Sequence, residues 1–257
     1  MNLDQKKIVI TGASEGIGKE MVRLLLEFRD VKIVAAARDT ANIPHIENKL
    51  YPFSTDLSTK EGVDRLFCFA EDKLGCIDVF IADAGFGYLE KVDKPDWNHV
   101  EKIYALNVFS PLYVLQKLAA GEPSPNKSLV CISSGAGLVP LPYYSLYCST
   151  KAALHTFFQT YRFEQPENIE VTVVYPVAIK TRFFDKASGR ENTPIPYPRQ
   201  TPEVVARRIL KGVENGKKKV YTSFFFRWIY PIGRAFPFLM KISASVEKRR
   251  VKEWAGF

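Results

Sequence analysis

Short apolar runs rich in β-branched residues recur along this chain, and longer stretches in which apolar residues return every three or four positions lie between them. The short runs are typical of strands buried on both faces, and the longer stretches are typical of amphipathic helices. The pattern predicts strands at residues 7–11, 31–37, 77–82, 128–133 and 171–175, and helices at 17–28, 61–73, 97–119, 147–163 and 202–214. The alternation predicts an α/β fold, a doubly wound parallel sheet with helices on both faces.

Composition narrows the class of protein. With 257 residues, 46% of them hydrophobic, the chain can bury one full core, so we expect a single domain. The four cysteines form no CxxC pair, which favours reduced thiols and a cytoplasmic location. The three histidines show no metal-ligand spacing, and the N-terminal residues lack the apolar core of a secretory signal. We therefore expect no metal site and no export.

The net charge of +8 is unevenly distributed along the chain. Residues 203–257 contain 13 Lys and Arg against 4 Asp and Glu, whereas the preceding residues contain 23 against 24. The basic character therefore belongs to the C-terminal extension.

A glycine-rich stretch, TGASEGIGKE at residues 11–20, follows the first predicted strand and opens the first predicted helix. Glycines there let the backbone turn sharply and approach a pyrophosphate at a helix N-terminus. Because ligands of parallel sheets bind beyond the carboxyl ends of the strands, this turn is a candidate cofactor site. A P-loop is excluded, since Glu20 stands where that motif needs Ser or Thr.

Arg38 follows the second predicted strand, where dinucleotide folds distinguish NAD from NADP. An acidic residue at this point holds a ribose 2′-hydroxyl, whereas a basic one accommodates a 2′-phosphate. Arg38 therefore favours NADP(H) over NAD(H), although Asp39 beside it weakens the preference.

Tyr147 and Lys151 are four residues apart in a predicted helix, so their side chains share one face. A nearby ammonium favours the phenolate and would lower the tyrosine pKa from its ordinary value of about 10. By spacing alone, the pair could equally be a surface tyrosine packed on the stem of a lysine. The choice between an acid/base pair and a packed surface pair therefore depends on the other motifs in the sequence.

The order of the motifs, TGxxxGIG after the first strand and YxxxK far downstream, resembles the short-chain dehydrogenase/reductase family over residues 6 to about 182. Further matches are Asp56 in STDLS, ADAG at 82–85, Asn107 in ALNVF, Ser134 in ISSGAG and PVAIKT at 176–181. The resemblance implies a Rossmann-like sheet of about seven strands. It divides the chain into a catalytic region at 1–202 and a C-terminal extension of the same domain at 203–257.

By that resemblance the catalytic residues are Asn107, Ser134, Tyr147 and Lys151. Tyr147 would be the general acid or base, its pKa lowered by Lys151, which would also hold the nicotinamide ribose. Ser134 would hydrogen-bond the substrate oxygen, and Asn107 would hold a water linking Lys151 to solvent. Ser133 competes with Ser134, but the interval to Tyr147 favours Ser134. The expected cofactor-binding residues are Gly12, Ser14, Gly16, Ile17, Gly18, Arg38, Asp56, Leu57, Ala84, Gly85, Tyr147, Lys151, Pro176, Ile179 and Thr181.

Three positions depart from the family pattern. Asp83 replaces the second asparagine of the NNAG motif and so loses an amide donor, and Val177 replaces a glycine near the nicotinamide. Glu15 stands where some NADP(H)-dependent members carry a basic residue, so the NADP(H) expectation rests on Arg38. The leading hypothesis is an NADP(H)-dependent oxidoreductase that moves a hydride to or from a carbonyl/secondary-alcohol pair. A catalytically silent NADP(H)-binding regulatory or scaffold protein stays open as the alternative.

Residues 183–200 are polar and marked by Gly and Pro, and they coincide with the mobile substrate lid of the family. Together with residues 138–144, LVPLPYY, they predict a pocket lined by apolar groups. We therefore expect a small lipophilic substrate, such as a ketone, a 3-oxoacyl compound or a steroid-like molecule. The helices at 97–119 and 147–163 correspond to the usual dimer surface of the family, which implies a homodimer or homotetramer.

Residues 221–248 begin with an aromatic stretch long enough to cross a bilayer, but Pro231 and Pro237 are expected to break its helix and basic residues interrupt it. Four basic residues recur every seven positions from Arg227 to Lys248. Two interpretations stay open: peripheral contact with a membrane surface, or closure of the pocket or of a subunit interface. Nucleic acid is not expected as a partner, because bulky apolar side chains are mixed with the basic ones.

Overall fold

The described residues, 1–121 and 127–256 of this computed structural model, form a seven-stranded parallel sheet and a separate two-stranded one. In chain order the strands are β1 (Lys7–Thr11), β2 (Lys32–Ala37), β3 (Leu50–Ser54), β4 (Val79–Ala82), β5 (Lys127–Ile132), β6 (Ile169–Tyr175), β7 (Ala178–Ile179), β8 (Arg199–Gln200) and β9 (Lys219–Tyr221). The order in the large sheet is β3-β2-β1-β4-β5-β6-β9, and every neighbouring pair is parallel. The order reverses at β1, so a crevice opens between the ends of β1 and β4.

Helices cover both faces of the sheet, as the alternating pattern predicts. They are α1 (Gly16–Leu25), α2 (Lys60–Leu74), α3 (Trp97–Tyr104), α4 (Ser110–Ala120), α5 (Ser145–Tyr161), α6 (Phe183–Ser188), α7 (Pro202–Glu214), α8 (Phe224–Ala235) and α9 (Pro237–Ala255). Ile8 and Ile10 of β1 share a core cluster with α1 and α7, whereas Val9 shares one with α2, α4 and α5. The doubly wound α/β fold is therefore confirmed, and its central strands are apolar because both of their faces are buried.

The five predicted strands are confirmed with small shifts at their ends, but β3 and β9 escaped prediction. β3 is half-buried and contains Pro52, and β9 has only three residues, which follow a run of lysines. Both strands lie at the edges of the large sheet, where a proline without its N–H is tolerated and burial is incomplete. Edge strands therefore lack the continuous apolar run on which the prediction depends.

The helix predicted for residues 97–119 is confirmed as one continuous helical stretch, but its middle turn is π-helical. α3 and α4 are joined by a π-helical turn, Ala105–Phe109, which contains the buried Asn107. Such widened turns inside helices often occur at functional sites. Apolar periodicity cannot reveal them, because one extra residue in a turn leaves the pattern nearly unchanged.

The C-terminal extension contains most of α7, then β9, and ends in α8 and α9, which meet at a bend; its last residue, Phe257, lies outside the described part of the chain. Pro237 begins α9, as expected, because a first-turn residue needs no N–H donor. Pro231, however, lies inside α8 and does not end it. The position is exposed, so the carbonyl that loses its N–H partner can be solvated. Among the described residues, no helix is long and apolar enough to span a membrane.

Candidate active site

The glycine turn between β1 and α1 leaves no room for a side chain at Gly12 or Gly18. Gly12 and Gly16 have φ angles of 69° and 59°, the left-handed region in which a Cβ is strained. A Cβ on Gly12 would lie 3.0 Å from the backbone nitrogen of Ala84, and one on Gly18 would lie 2.2 Å from the Gly12 carbonyl oxygen. This bare backbone at the N-terminus of α1 suits the pyrophosphate of a dinucleotide. Ser14 and Ile17, two further predicted cofactor residues, belong to the same turn.

Thr11 joins the carboxyl ends of β1 and β4. Its hydroxyl oxygen accepts hydrogen bonds from the backbone nitrogens of Asp83 and Ala84, each at 3.1 Å. The hydroxyl also donates to the Ile81 carbonyl oxygen at 3.4 Å. The predicted cofactor residues after β4, Ala84 and Gly85, are therefore held against the glycine turn.

The carboxyl group of Asp83 lies beneath the glycine turn. The backbone N–H of Gly18 donates to it, and a Cβ on Gly18 would lie only 2.9 Å from its Oδ2. Burial raises the pKa of Asp83 to about 7, against the opposing effects of the Lys151 charge and the Gly18 hydrogen bond. Near neutral pH the carboxyl is therefore partly protonated, and the proton makes it a hydrogen-bond donor as an asparagine would be.

Asn107 fixes the loop that follows β4. Its amide nitrogen donates to the Phe86 carbonyl oxygen at 2.8 Å and to Thr150 Oγ1 at 3.1 Å. Its Oδ1 accepts from the Phe86 backbone nitrogen at 3.1 Å. A Cβ on Gly85 would lie 3.1 Å from this Oδ1 and 3.5 Å from Lys151 Nζ. The side-chain amide therefore positions the loop, and a water-holding role for Asn107 stays a prediction.

Ser134, Tyr147 and Lys151 come together beside this loop. Lys151 Nζ lies 5.7 Å from the centroid of the Tyr147 ring and donates to the Ile132 carbonyl oxygen at 2.9 Å. The Ser134 side chain lies close enough to the Tyr147 phenol to lower the pKa of Tyr147. Ser133, the rival serine, is turned away and donates its hydroxyl to the Lys151 carbonyl oxygen at 3.1 Å. The geometry therefore favours Ser134 of the two serines.

The pKa of Tyr147 departs from the sequence expectation that Lys151 lowers it. Burial raises the pKa of Tyr147 to about 12, and the nearby Ser134 side chain opposes this effect only in part. Lys151 does not reverse it, because its ammonium is directed to the Ile132 carbonyl and burial lowers the pKa of Lys151 itself. In this arrangement the phenol keeps its proton at neutral pH and suits the role of a proton donor.

Arg38 and Asp56 lie together at the carboxyl ends of β2 and β3. Both are exposed, and the backbone hydrogen bond from Ser58, at 2.9 Å, is the main cause of the lowered pKa of Asp56. The positive charge of Arg38 adds to the same effect, which shows that the two groups are near one another. Leu57 is buried in the core beside them. This rim offers one guanidinium and one carboxylate to a ligand.

Pro176, Ile179 and Thr181 lie on the segment after β6, at the other end of the crevice. The Pro176 carbonyl oxygen accepts from the Gly135 backbone nitrogen at 2.7 Å, which places it beside Ser134. Ile179 is buried, and the Thr181 methyl group lies 3.5 Å from where a Cβ on Gly16 would be. The predicted nicotinamide-side residues therefore bridge the serine loop and the glycine turn.

The lid segment, residues 183–200, is folded over the crevice. The Phe183 ring lies 5.2 Å from the Tyr147 ring, centroid to centroid. Lys186 forms an ion pair with Glu15 of the glycine turn. The apolar side chains beneath the lid form one cluster: Leu89, Leu141, Tyr144, Phe183, Phe184, Ala187 and Ile195. The lid therefore covers both the glycine turn and Tyr147.

Sequence reasoning did not single out Thr11, Phe86, Thr150 or Phe183 as site residues. Thr11 lies inside the TGxxxGIG motif and Thr150 inside the YxxxK motif, so their hydroxyls could have been suspected from those positions. Phe86 contributes a backbone hydrogen bond to Asn107, and Phe183 contributes a ring contact with Tyr147. No local sequence pattern predicts either contact. Within the described ranges, no group of three or more His, Cys, Asp or Glu is arranged to hold a metal ion.

Comparison with known proteins gives the same picture from sequence. Residues 6–192 match the short chain dehydrogenase family. An uncharacterised oxidoreductase of Staphylococcus saprophyticus is 31% identical over 205 residues, which cover 74% of this chain and 80% of the relative. The 3-ketodihydrosphingosine reductase of Dictyostelium discoideum is 28% identical over 251 residues, which cover 83% and 73% of the two chains.

Solved structures share the fold at lower identity. A short chain dehydrogenase from Burkholderia cenocepacia, in complex with NADP, superposes with a TM-score of 0.80 at 21% identity, over 95% of this chain and 99% of that one. A short chain dehydrogenase/reductase from Burkholderia phymatum, in complex with NAD, superposes with a TM-score of 0.79 at 17% identity, over 93% and 96%. At these identities the likeness concerns the fold.

Proposed function

The chain belongs to the short-chain dehydrogenase family, and from that premise we propose that it is an NADP(H)-dependent oxidoreductase acting on a carbonyl/secondary-alcohol pair. The observation that carries the proposal is the convergence of Ser134, Tyr147 and Lys151 next to a bare glycine turn. The residues around that turn fit a nicotinamide dinucleotide, whose chemistry is to supply or accept a hydride. The side chains of this protein bind, orient and handle the proton.

Tyr147 is the proposed proton donor to the carbonyl oxygen. Because burial raises its pKa to about 12, the phenol carries a proton at neutral pH, which supports the reductive direction. Ser134, which lies beside the phenol, orients the substrate oxygen next to it. Lys151 donates one of its three N–H groups to Ile132 and has two left for ribose hydroxyls. Asn107 acts indirectly, by positioning the loop at Phe86 and the Thr150 hydroxyl.

NADP(H) is the proposed cofactor in preference to NAD(H). The exposed guanidinium of Arg38 stands at the rim where a 2′-phosphate would be recognised. Glu15 does not oppose a phosphate there, because it is paired with Lys186 of the lid. An Arg38→Ala variant should raise the KM for NADPH while leaving the KM for NADH nearly unchanged; equal effects on both would contradict the preference.

A lipophilic substrate is proposed, such as a ketone, a 3-oxoacyl compound or a steroid-like molecule. The support is the apolar cluster beneath the lid, in which Phe183 contacts the Tyr147 ring. The relative from Dictyostelium discoideum is named for reduction of a keto group, which agrees with this class. We further propose a cytoplasmic homodimer or homotetramer, supported by the exposed apolar rings of Phe109 beside α4 and Phe157 on α5.

A catalytically silent cofactor-binding protein is the second candidate. The observation in its favour is Asp83, whose carboxyl beneath the glycine turn titrates near neutrality and changes its hydrogen bonding as it ionises. In that case the protein would bind NADP(H) without turning over any substrate.

The test is oxidation of NADPH in the presence of a panel of ketones of increasing chain length, followed by absorbance. Wild type should turn over at least one lipophilic ketone, and Tyr147→Phe should lose about a hundredfold or more in kcat with little change in cofactor affinity. Tyr161→Phe, the same substitution near the far end of α5, is the matched control and should be as active as wild type. Saturable NADPH binding with no turnover of any ketone would support the silent alternative.

A further inference from the structure

The two C-terminal helices carry a stripe of apolar side chains that the rest of the described chain leaves half or more exposed. We define the outer face as Phe225, Trp228 and Ile232 of α8 together with Phe238, Ile242 and Val246 of α9, which are 50% to 62% exposed. They recur at spacings of three and four, so within each helix they line one side. Isolated exposed apolar residues are ordinary, but a continuous patch of large ones indicates a binding surface.

The opposite sides of the same helices pack on the body of the protein. Phe226 of α8 and Val251 of α9 are buried, whereas Gly233 of α8 is buried against Met240 of α9. The Phe226 ring lies 3.1 Å from where a Cβ on Gly135 would be, next to Ser134. Of the two interpretations left open by the sequence, pocket closure therefore applies only to the inner side, and the outer face still needs a partner.

The charge of the region indicates what that partner is. Residues 224–257 contain seven Lys and Arg against two Asp and Glu, a balance of +5. Arg227, Arg234, Lys241 and Lys248, the basic residues spaced every seven positions, are all exposed. Exposed aromatic rings combined with basic side chains are typical of segments that lie in the interface of an anionic bilayer.

A second copy of the chain fits this surface less well. A two-fold contact through the outer face would bring the two +5 regions against each other, and like charges at an interface oppose association. A bilayer-spanning arrangement is not available either, since none of the described helices is long and apolar enough.

We propose that α8 and α9 dock this protein on an anionic phospholipid surface. The outer face enters the interfacial region of one leaflet, and the basic side chains contact lipid headgroups. Trp228 and the phenylalanines supply the apolar contact, because aromatic rings are favoured at the boundary between headgroups and acyl chains. A shallow depression on α9, lined by Ser245, Lys248, Arg249, Lys252 and Glu253, is open toward a headgroup.

Docking there would place the substrate lid beside the membrane, a step that rests on the proposed function. Arg250 of α9 donates to the Ile195 carbonyl oxygen of the lid at 2.9 Å and lies over the Tyr197 ring. Arg190 of the lid packs on the ring of Trp254. The lid and α9 are therefore in direct contact, and a lipophilic ketone dissolved in the bilayer would reach the crevice without crossing water.

The test is co-sedimentation of the full chain with vesicles of phosphatidylcholine alone or mixed with phosphatidylserine. Wild type should partition onto the mixed vesicles and much less onto phosphatidylcholine alone, and added salt should weaken binding. The variant Trp228→Ser/Ile232→Ser/Ile242→Ser should lose about tenfold or more of the partitioning. Its control, Trp97→Ser/Phe163→Ser, replaces two rings that are 77% and 92% exposed elsewhere and should bind as wild type does.

Two double charge-reversal variants test the electrostatic contribution to vesicle binding. Lys241→Glu/Lys248→Glu should reduce binding to the mixed vesicles, whereas Lys211→Glu/Lys217→Glu, with the same charge change outside α8 and α9, should reduce it far less. Equal sedimentation of wild type and the triple serine variant would overturn the proposal. So would light scattering that shows wild type as an oligomer and the triple variant as a monomer, with neither binding vesicles, because the occupant would then be a second copy.

Turnover distinguishes the docking surface from the proposed chemistry. A long-chain ketone presented in mixed vesicles should be reduced faster by wild type than by the triple serine variant, and a short water-soluble ketone should be reduced equally by both. Binding to vesicles without reduction of either ketone would refute the proposed function and leave the docking surface standing. Reduction of both ketones with no vesicle binding would refute the docking surface alone.

Discussion

At the scale of single residues, burial decides the protonation of this site more than neighbouring charges do. Tyr147 lies close to an ammonium, yet burial raises its pKa to about 12. Asp83 feels the same ammonium, yet burial raises its pKa to about 7. In both groups the charged form loses its hydration, and the Lys151 charge does not offset that loss.

Asp83 should make the stability of the protein depend on pH. Its folded pKa, about 7, lies above the ordinary value of 3.8, so between these values the folded state binds the proton more tightly. The free energy of unfolding should therefore fall as pH rises from about 4 to about 7, by about 4 kcal/mol. Asp83→Asn should lack this fall, so the Tm difference between variant and wild type should grow across the window and stay level above it. A constant difference from pH 4 to 8 would contradict the pKa shift.

Loss of the Tyr144 hydroxyl group should stabilise the folded protein. The side chain is 1% exposed, and its Oη has no hydrogen-bond partner among the described residues. Tyr144→Phe removes this buried polar atom and should raise the free energy of unfolding by about 1 kcal/mol in urea melts. Tyr175→Phe is the matched comparison, since the Tyr175 hydroxyl is bonded to His155 Nδ1 at 2.8 Å, and it should lower the same quantity. Destabilisation by both changes would show that Tyr144 has a polar partner.

At the scale of elements, the site is assembled from the ends of strands and the turns that follow them. The glycine turn after β1, the loop after β4 and the serine turn after β5 meet because β1, β4 and β5 are neighbours in the sheet. The π-helical turn between α3 and α4 adds Asn107, whose three hydrogen bonds join the loop after β4 to Thr150 of α5. Each of these turns is a short local segment of the sequence, but the site forms only because the fold brings the segments into contact.

Gly18→Ala should damage the glycine turn more than its small size suggests. The new Cβ would lie 2.2 Å from the Gly12 carbonyl oxygen, so the backbone would have to shift. We expect a loss of about 2 kcal/mol in stability and about tenfold or more in NADPH affinity, measured by urea melts and fluorescence titration. Gly216→Ala is the control: its φ of 61° is strained for alanine, but nothing lies within 4 Å of its Cβ. It should lose some stability and keep its NADPH affinity.

At the scale of the whole molecule, α8, α9 and the lid lie outside the sheet and the helices that cover it. The lid is tied to the glycine turn at one end, through Lys186 and Glu15, and to α9 at the other, through Arg250. A perturbation of α9 should therefore change the mobility of the lid over the crevice, although none of the site residues named above lies on α9. The lid can couple α9 to the glycine turn because it contacts both of them.

Arg250→Ala should loosen the lid. The substitution removes the hydrogen bond to the Ile195 carbonyl oxygen and the contact with the Tyr197 ring. Amide hydrogen exchange in residues 190–197 should become about tenfold faster, with little change in the β1 amides. Arg249→Ala, one position away and exposed, should leave exchange in the lid as it is in wild type. Unchanged lid exchange in Arg250→Ala would mean that α9 does not hold the lid.

The amino-acid sequence by itself determined the elements and the motifs, because apolar periodicity, glycine turns and helical spacing act over a few residues. It therefore predicted the central strands, most helices and the residues that gather at the crevice. Only the tertiary structure decided the edge strands, the π-helical turn at Asn107 and the raised pKa values of Tyr147 and Asp83. Those features depend on which distant segments bury a group, and likewise the outer face of α8 and α9 is defined by what the rest of the chain leaves uncovered.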